Sequence, residues 1–190
     1  DNWTRTLGRK QYDWLAATLA ASKAKYVFVY THHLVGGRGR DARGGVESAS
    51  WYEWGGKGED GVEAFATQRP GWKQPIHALL VEHKVAAVFH GHDHLYVHNQ
   101  LDGIVYQCVP QPGNTRGGTN SAAQYGYTSG VILGSPGALR VSVGPEETKV
   151  EFVRSAERAR RSGDATQAAI VDHSWTVKPR QLQPTTGLGR

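Results

Sequence analysis

Methionine is absent from the 190 residues, and there is a single cysteine, Cys108. One thiol excludes an internal disulfide and any multi-cysteine zinc site. No apolar run approaches the length needed to span a bilayer, so no membrane span is expected. Charge is not strongly one-sided: 22 Lys and Arg against 17 Asp and Glu leave a formal net charge of +5. The densest basic stretch, "RSAERARR" at residues 154–161, reads as a solvated helix face rather than a nucleic-acid surface. A start at "DNWTRTLGRK" without methionine reads as the later part of a longer protein, so the lack of a signal peptide carries no weight.

The chain does hold a regular α/β opening. In "RKQYDWLAATLAAS", Tyr12, Leu15, Ala16 and Leu19 fall at i, i+3, i+4 and i+7, one stripe of an amphipathic helix. "KYVFVY" follows as a short β-branched and aromatic run without alternation, which predicts a strand covered on both faces, as in a parallel sheet. Residues 35–75 form a long Gly-rich connection carrying Trp51, Tyr52, Trp54, Phe65 and Trp72, with a short helix in "EDGVEAFATQ". "PIHALLVEHK" predicts a helix with proline at its first turn, leading into "VAAVF", a second buried strand.

Beyond residue 94 the period changes. "LYVHNQL" and "IVYQCV" flank Asp102-Gly103, a turn pair suited to a tight hairpin. "GVILG", "ALRVSVG" and "TKVEFVR" follow as short strands after a polar loop, the last two with clean alternation. The order is α/β first and antiparallel β afterwards. One domain is expected over residues 1–155, with 156–190 as its basic helix and a tail of little core-forming content.

Histidines mark the chemistry. "VFVYTHH" and "AAVFHGHDH" share one plan, a buried strand followed by histidines at its carboxyl end. In open α/β sheets that edge is where sites gather, and sequential strands are often neighbours. His92 and His94 are one residue apart, so in an extended segment both imidazoles face one side. Gly91 would permit the sharp exit from the strand. Asp93 would then project the other way, as a surface residue or a support for the ligands. His90 and His98 read as structural, and His77, His83 and His173 have no partner at metal spacing.

"LGRKQYDWLAATLAASKAKYVFVYTHH" followed by "VFHGHDH" resembles the C-terminal half of a calcineurin-like metallophosphoesterase, the superfamily that includes purple acid phosphatases. That family runs D-x-H, GDxxD, GNH[DE], a lone His after a strand, and GHxH. "THH" matches the fourth element and "GHDH" the fifth, the resemblance covering residues 7–153. "GDATQ" at Gly163 and "GNTR" at Gly113 lie after "GHDH" and lack the required partners. The bridging carboxylate, the asparagine ligand and the GNH histidine are therefore missing from this chain.

The resemblance implies a four-layer α/β/β/α sandwich, of which this chain is the C-terminal part, a mixed sheet followed by antiparallel strands. It implies two divalent or trivalent metal ions (Fe, Zn or Mn), with His32 and His92 as ligands of one, His94 as a ligand of the other, and His33 as a neighbour of metal or substrate. It implies hydrolysis of a phosphomonoester or diester by direct attack of a metal-bridging hydroxide. For the phosphate-ester substrate, Arg38, Arg40, Arg43, Trp51, Tyr52 and Trp54 of the long connection are candidates, with Arg116 and Asn114 of the second loop. The alternative for the aromatics is a small local core. Export from the cytoplasm suits such relatives and the Trp- and Tyr-rich connection. Two rivals remain: a catalytically incomplete half-domain that binds metal weakly, and an unrelated histidine-bearing binding domain.

Overall fold

A computed structural model describes residues 2–38, 43–113, 117–155 and 170–181. Helix α1 (Arg9–Ala21) buries Tyr12 and Leu19 and half-buries Leu15 and Ala16, the stripe set by its spacing. Two single-turn helices, α2 (Tyr52–Gly55) and α3 (Phe65–Gln68), interrupt the long connection, and α4 (Ile76–Glu82) starts after Pro75. Eight strands follow the chain order β1 (Phe28–Thr31), β2 (Ala87–His90), β3 (Leu95–Leu101), β4 (Ile104–Cys108), β5 (Val131–Gly134), β6 (Gly137–Val143), β7 (Thr148–Arg154) and β8 (Val171–Val177).

Five of them make a mixed sheet in the order β1-β2-β4-β3-β5. β1, β2 and β4 run parallel, while β3 pairs antiparallel with both β4 and β5. Asp102 and Gly103 both have positive φ (49° and 81°), the conformation a two-residue hairpin of the primed type demands. The remaining strands form an antiparallel sheet, β6-β7-β8.

Alternation along β2 and β4 divides the core. Val88, Ile104 and Tyr106 face the helices, together with Leu79 and Leu80 of α4 and Trp54 of the connection. Ala87, Phe89 and Val105 face the other way, against Val150 and Trp175 of the second sheet. Among the described residues this gives three layers: helices, mixed sheet, antiparallel sheet.

Two expectations change here. β1 is the outermost strand of its sheet, and Tyr30 on it is 69% exposed, so it is not covered on both faces. A non-alternating apolar run reports β propensity but not position in the sheet. Residues 171–177 are a strand rather than a weak tail, because Trp175 inserts between the sheets and donates its indole N–H to Gln107 Oε1 at 2.9 Å. The basic-helix expectation at 156–169 lies outside the described residues.

The long connection is held by a buried carboxylate. Glu53 is fully buried, accepts from the Leu7 backbone N–H at 2.7 Å, from Arg69 Nε at 2.5 Å and from the Thr6 hydroxyl. Gly36 passes so close that a Cβ there would meet Glu53 Oε2, and its φ of 81° also favours glycine. Tyr12 stacks on Trp72 at 4.0 Å and its hydroxyl donates to the Gln74 carbonyl at 2.8 Å. The connection therefore packs as core between α1 and α4.

Candidate metal centre

β1 and β2 are hydrogen-bonded neighbours in register, Thr31 opposite His90, so the residues after each strand emerge side by side at the carboxyl edge. The Gly91 N–H donates to the His32 carbonyl at 2.9 Å and extends the pairing one residue past the strands. His32 Nε2 then lies 3.1 Å from His92 Nδ1. The His33 ring completes the group, its centroid 5.2 Å from His32 and 5.1 Å from His92.

One ring nitrogen from each of His32, His33 and His92 lies within 4.8 Å of the others. Nitrogens around a tetrahedral ion at about 2.05 Å are separated by about 3.3 Å, so the three imidazoles must draw closer to hold one. His32 is exposed and His33 and His92 are half-buried, which leaves the group open to solvent on one side. An all-imidazole set with an open side suits a borderline divalent ion that keeps room for a further ligand.

His94 sits elsewhere. It is exposed on the turn after the strand, outside this group, and its carbonyl accepts the Ser135 hydroxyl at 2.6 Å. The segment is not extended: His92 has φ 75° and His94 φ 56°, both left-handed. The alternation argument for His92 and His94 sharing a side therefore does not apply here. Gly91 has no positive φ, and a Cβ on it would make only an ordinary contact, so the sharp exit is carried by His92 and His94 themselves. Left-handed backbone at residues other than glycine is uncommon and clusters at functional turns.

Asp93 is the anchor of that turn, and it is buried rather than on the surface. Its carboxylate takes the Tyr127 hydroxyl at 2.7 Å and pairs with the Arg43 guanidinium, which in turn stacks 4.0 Å above the Tyr125 ring. Burial pushes the Tyr127 phenol far above the usual tyrosine range, so it acts as a fixed donor. The Cys108 thiol beside it is pushed up to about 12, also mainly by burial, and stays protonated. Only the position of Asp93 between two histidines hinted at this support; nothing in the polar loop marked Tyr127 as its partner.

His90 ends β2, fully enclosed, stacked on Tyr127 at 6.3 Å. Burial pushes its pKa down to about 4, which keeps it neutral beside the cluster. His98 faces His173 across the sheets, with ring centroids 5.2 Å apart, and the Tyr96 hydroxyl lies 2.6 Å from His173 Nδ1. His77 is held between the Tyr106 hydroxyl at 2.7 Å and Asp102 at 3.0 Å.

The substrate candidates separate. Tyr52 is 2% exposed, packed edge-on against Trp3 at 5.4 Å, and Trp54 is buried with its indole N–H on the Val35 carbonyl, so both are core and offer no stacking face. Trp51 is half-buried, with the Arg38 guanidinium 4.6 Å above its ring. Arg43 is committed to Asp93. Arg40, Asn114 and Arg116 lie outside the described residues. An open groove of about 430 Å³ borders His32, walled by Tyr30, Phe89 and Val109. Tyr30 stacks on Phe89 at 5.0 Å there.

No family model matches the chain, and no curated protein matches it. Among solved structures it is similar to a purple acid phosphatase isolated from yellow lupin (Lupinus luteus) seeds, with 15% identity and a TM-score of 0.49. That similarity covers 90% of this chain and 28% of the lupin chain.

Proposed function

We propose that this chain contributes the imidazole side of the metal centre of a phosphoesterase. The observation that supports it is the convergence of His32, His33 and His92 from two adjacent parallel strands, in the "THH" and "GHDH" contexts that resemble the metallophosphoesterase pattern. His32, His33 and His92 hold one ion in this reading. His94, exposed on the same turn, serves a second ion whose carboxylate ligands come from outside the described residues. The four-layer sandwich belongs to the same reading, with further structure beside the open edge of β1.

A bound divalent ion there supplies Lewis-acid polarisation of a phosphoryl oxygen and lowers the pKa of a coordinated water. The chain's own residues do the rest. Asp93, Arg43 and Tyr127 fix the turn that carries His92 and His94. Neutral imidazoles are the ligating form, so occupancy falls as the pH drops through the histidine range. The groove beside His32 accepts the organic part of a phosphate ester against Tyr30.

A second reading rests on the composition of the group, which contains no carboxylate. On that reading the chain binds metal and does not turn over substrate by itself. Hydrolysis of p-nitrophenyl phosphate in the presence of Zn, Mn or Fe, by the chain together with the segment that supplies the carboxylate ligands, separates the two. The phosphoesterase reading expects turnover that disappears in His32→Ala with His92→Ala; turnover surviving that pair overturns it. Metal binding without turnover identifies the incomplete centre.

A further inference from the structure

At the opposite end of the parallel strands lies a second concavity. A pocket of about 300 Å³ opens where α4 enters β2, beside the β3–β4 turn and the end of β8. Its apolar floor is Val81, Val85, Ile104 and Val177. Its walls carry Lys25, Lys84, Lys178 and Arg180 against one carboxylate, Asp102, which is already bonded to His77 at 3.0 Å. The cations arrive on three separate connections: α1 to β1, α4 to β2, and the segment leaving β8.

Lys84 is the telling residue. α4 ends in a double backbone hydrogen bond, Val85 N–H to the Leu80 carbonyl and Lys84 N–H to the Val81 carbonyl, both at 3.0 Å. This is the Schellman arrangement, and its left-handed position normally holds glycine. Here that position is lysine, with φ 51°. Glycine would make the same turn with less strain, so the turn itself does not call for a side chain there. Among the described residues its ammonium reaches one partner, the Gln181 carbonyl at 3.2 Å. The Lys25 carbonyl accepts the Arg180 backbone N–H at 2.8 Å, but its ammonium has no hydrogen-bond or ion-pair partner among the described residues, while Lys178 is shared with Glu147 at 3.1 Å. Arg180 is the frame: its guanidinium donates to the carbonyls of Ser22, Ala24 and His83 at 2.7–2.8 Å and locks the three connections together.

We propose that this pocket binds an organic anion with an apolar body, such as an alkyl phosphate, its charge held by Lys25 and Lys84 and its chain laid on the Val81, Val85 and Ile104 floor. The site is independent of the histidine group, which lies past the other end of β2. Between exposed lysines on a rigid frame, such a ligand gains from charge at its head and from apolar contact along its body.

The test is calorimetric titration of the metal-free chain with octyl phosphate, with inorganic phosphate and octanol as comparisons. Saturable 1:1 binding of octyl phosphate is expected, at least tenfold tighter than either comparison. Lys84→Gly should weaken it at least fivefold while leaving the melting temperature unchanged or raised, and adding Lys25→Ala should weaken it further. His32→Ala should leave it unaltered. Equal affinity in the Lys25→Ala, Lys84→Gly pair, equal binding of octanol, or loss of binding in His32→Ala would each overturn the proposal.

Discussion

The Tyr127 hydroxyl donates to the Asp93 carboxylate at 2.7 Å, although the two residues are separated by 34 positions. Asp93 therefore fastens the loop of residues 117–130 to the turn that carries His92. Its other oxygen pairs with Arg43, which brings the long connection to the same point. A single buried carboxylate thus joins three segments behind the histidine group.

Removing that carboxylate leaves a phenol and a guanidinium without their acceptor. Asp93→Ala should destabilise the chain by about 3 kcal/mol, and Tyr127→Phe by about 1 kcal/mol. Urea unfolding of both variants and their combination measures the coupling. Additive losses would show that the pair does not act as a unit.

Glu53 makes a second prediction. It is fully buried and bonded to Leu7 N–H, Thr6 and Arg69. Glu53→Gln removes the charge that compensates Arg69 and should cost about 3–5 kcal/mol. Limited proteolysis should then cut within residues 3–8 faster than in the unaltered chain. An unchanged digestion pattern and melting temperature would contradict the assignment.

Acid sensitivity follows from the histidine pair between the sheets. Burial, reinforced by the neighbouring His173, pushes His98 down to about 4, and burial also lowers His173. The unfolded chain titrates near the ordinary value of 6.5. Protons therefore favour the unfolded state: the stabilisation is complete above pH 6.5 and is lost as pH falls from 6.5 toward 4. The His98 contribution is on the order of 2 kcal/mol. His98→Phe keeps a ring against Trp175 and should flatten this part of the stability–pH curve in urea titrations. Parallel curves for the two proteins would rule it out.

How far the sequence could be read varied with the kind of signal. Helical periodicity placed α1, and the Asp102-Gly103 pair placed the β3–β4 hairpin, because both depend on local chemistry alone. The shared plan of "VFVYTHH" and "AAVFHGHDH" brought His32 to His92, because parallel neighbours in register deliver their ends to one edge. His94, expected on a second ion, stands outside the His32, His33 and His92 group. Its backbone is left-handed, and period-two reasoning fails once the chain leaves the strand. The burial of Tyr52 and Trp54 and the packing of Trp175 depend on what lies across the core, which no local pattern contains. Tyr30 shows the converse: its run reads as interior, but the strand is an edge.

The central claim is that His32, His33 and His92 form one metal-binding group. Its most direct test is titration of the metal-free chain with Co²⁺, followed by its visible absorption band and by calorimetry. One tightly bound ion per chain is predicted, with affinity reduced at least tenfold in each of His32→Ala, His33→Ala and His92→Ala and far less in His94→Ala. Co²⁺ binding that is unchanged in His32→Ala with His92→Ala, or that depends on His94 alone, would contradict it.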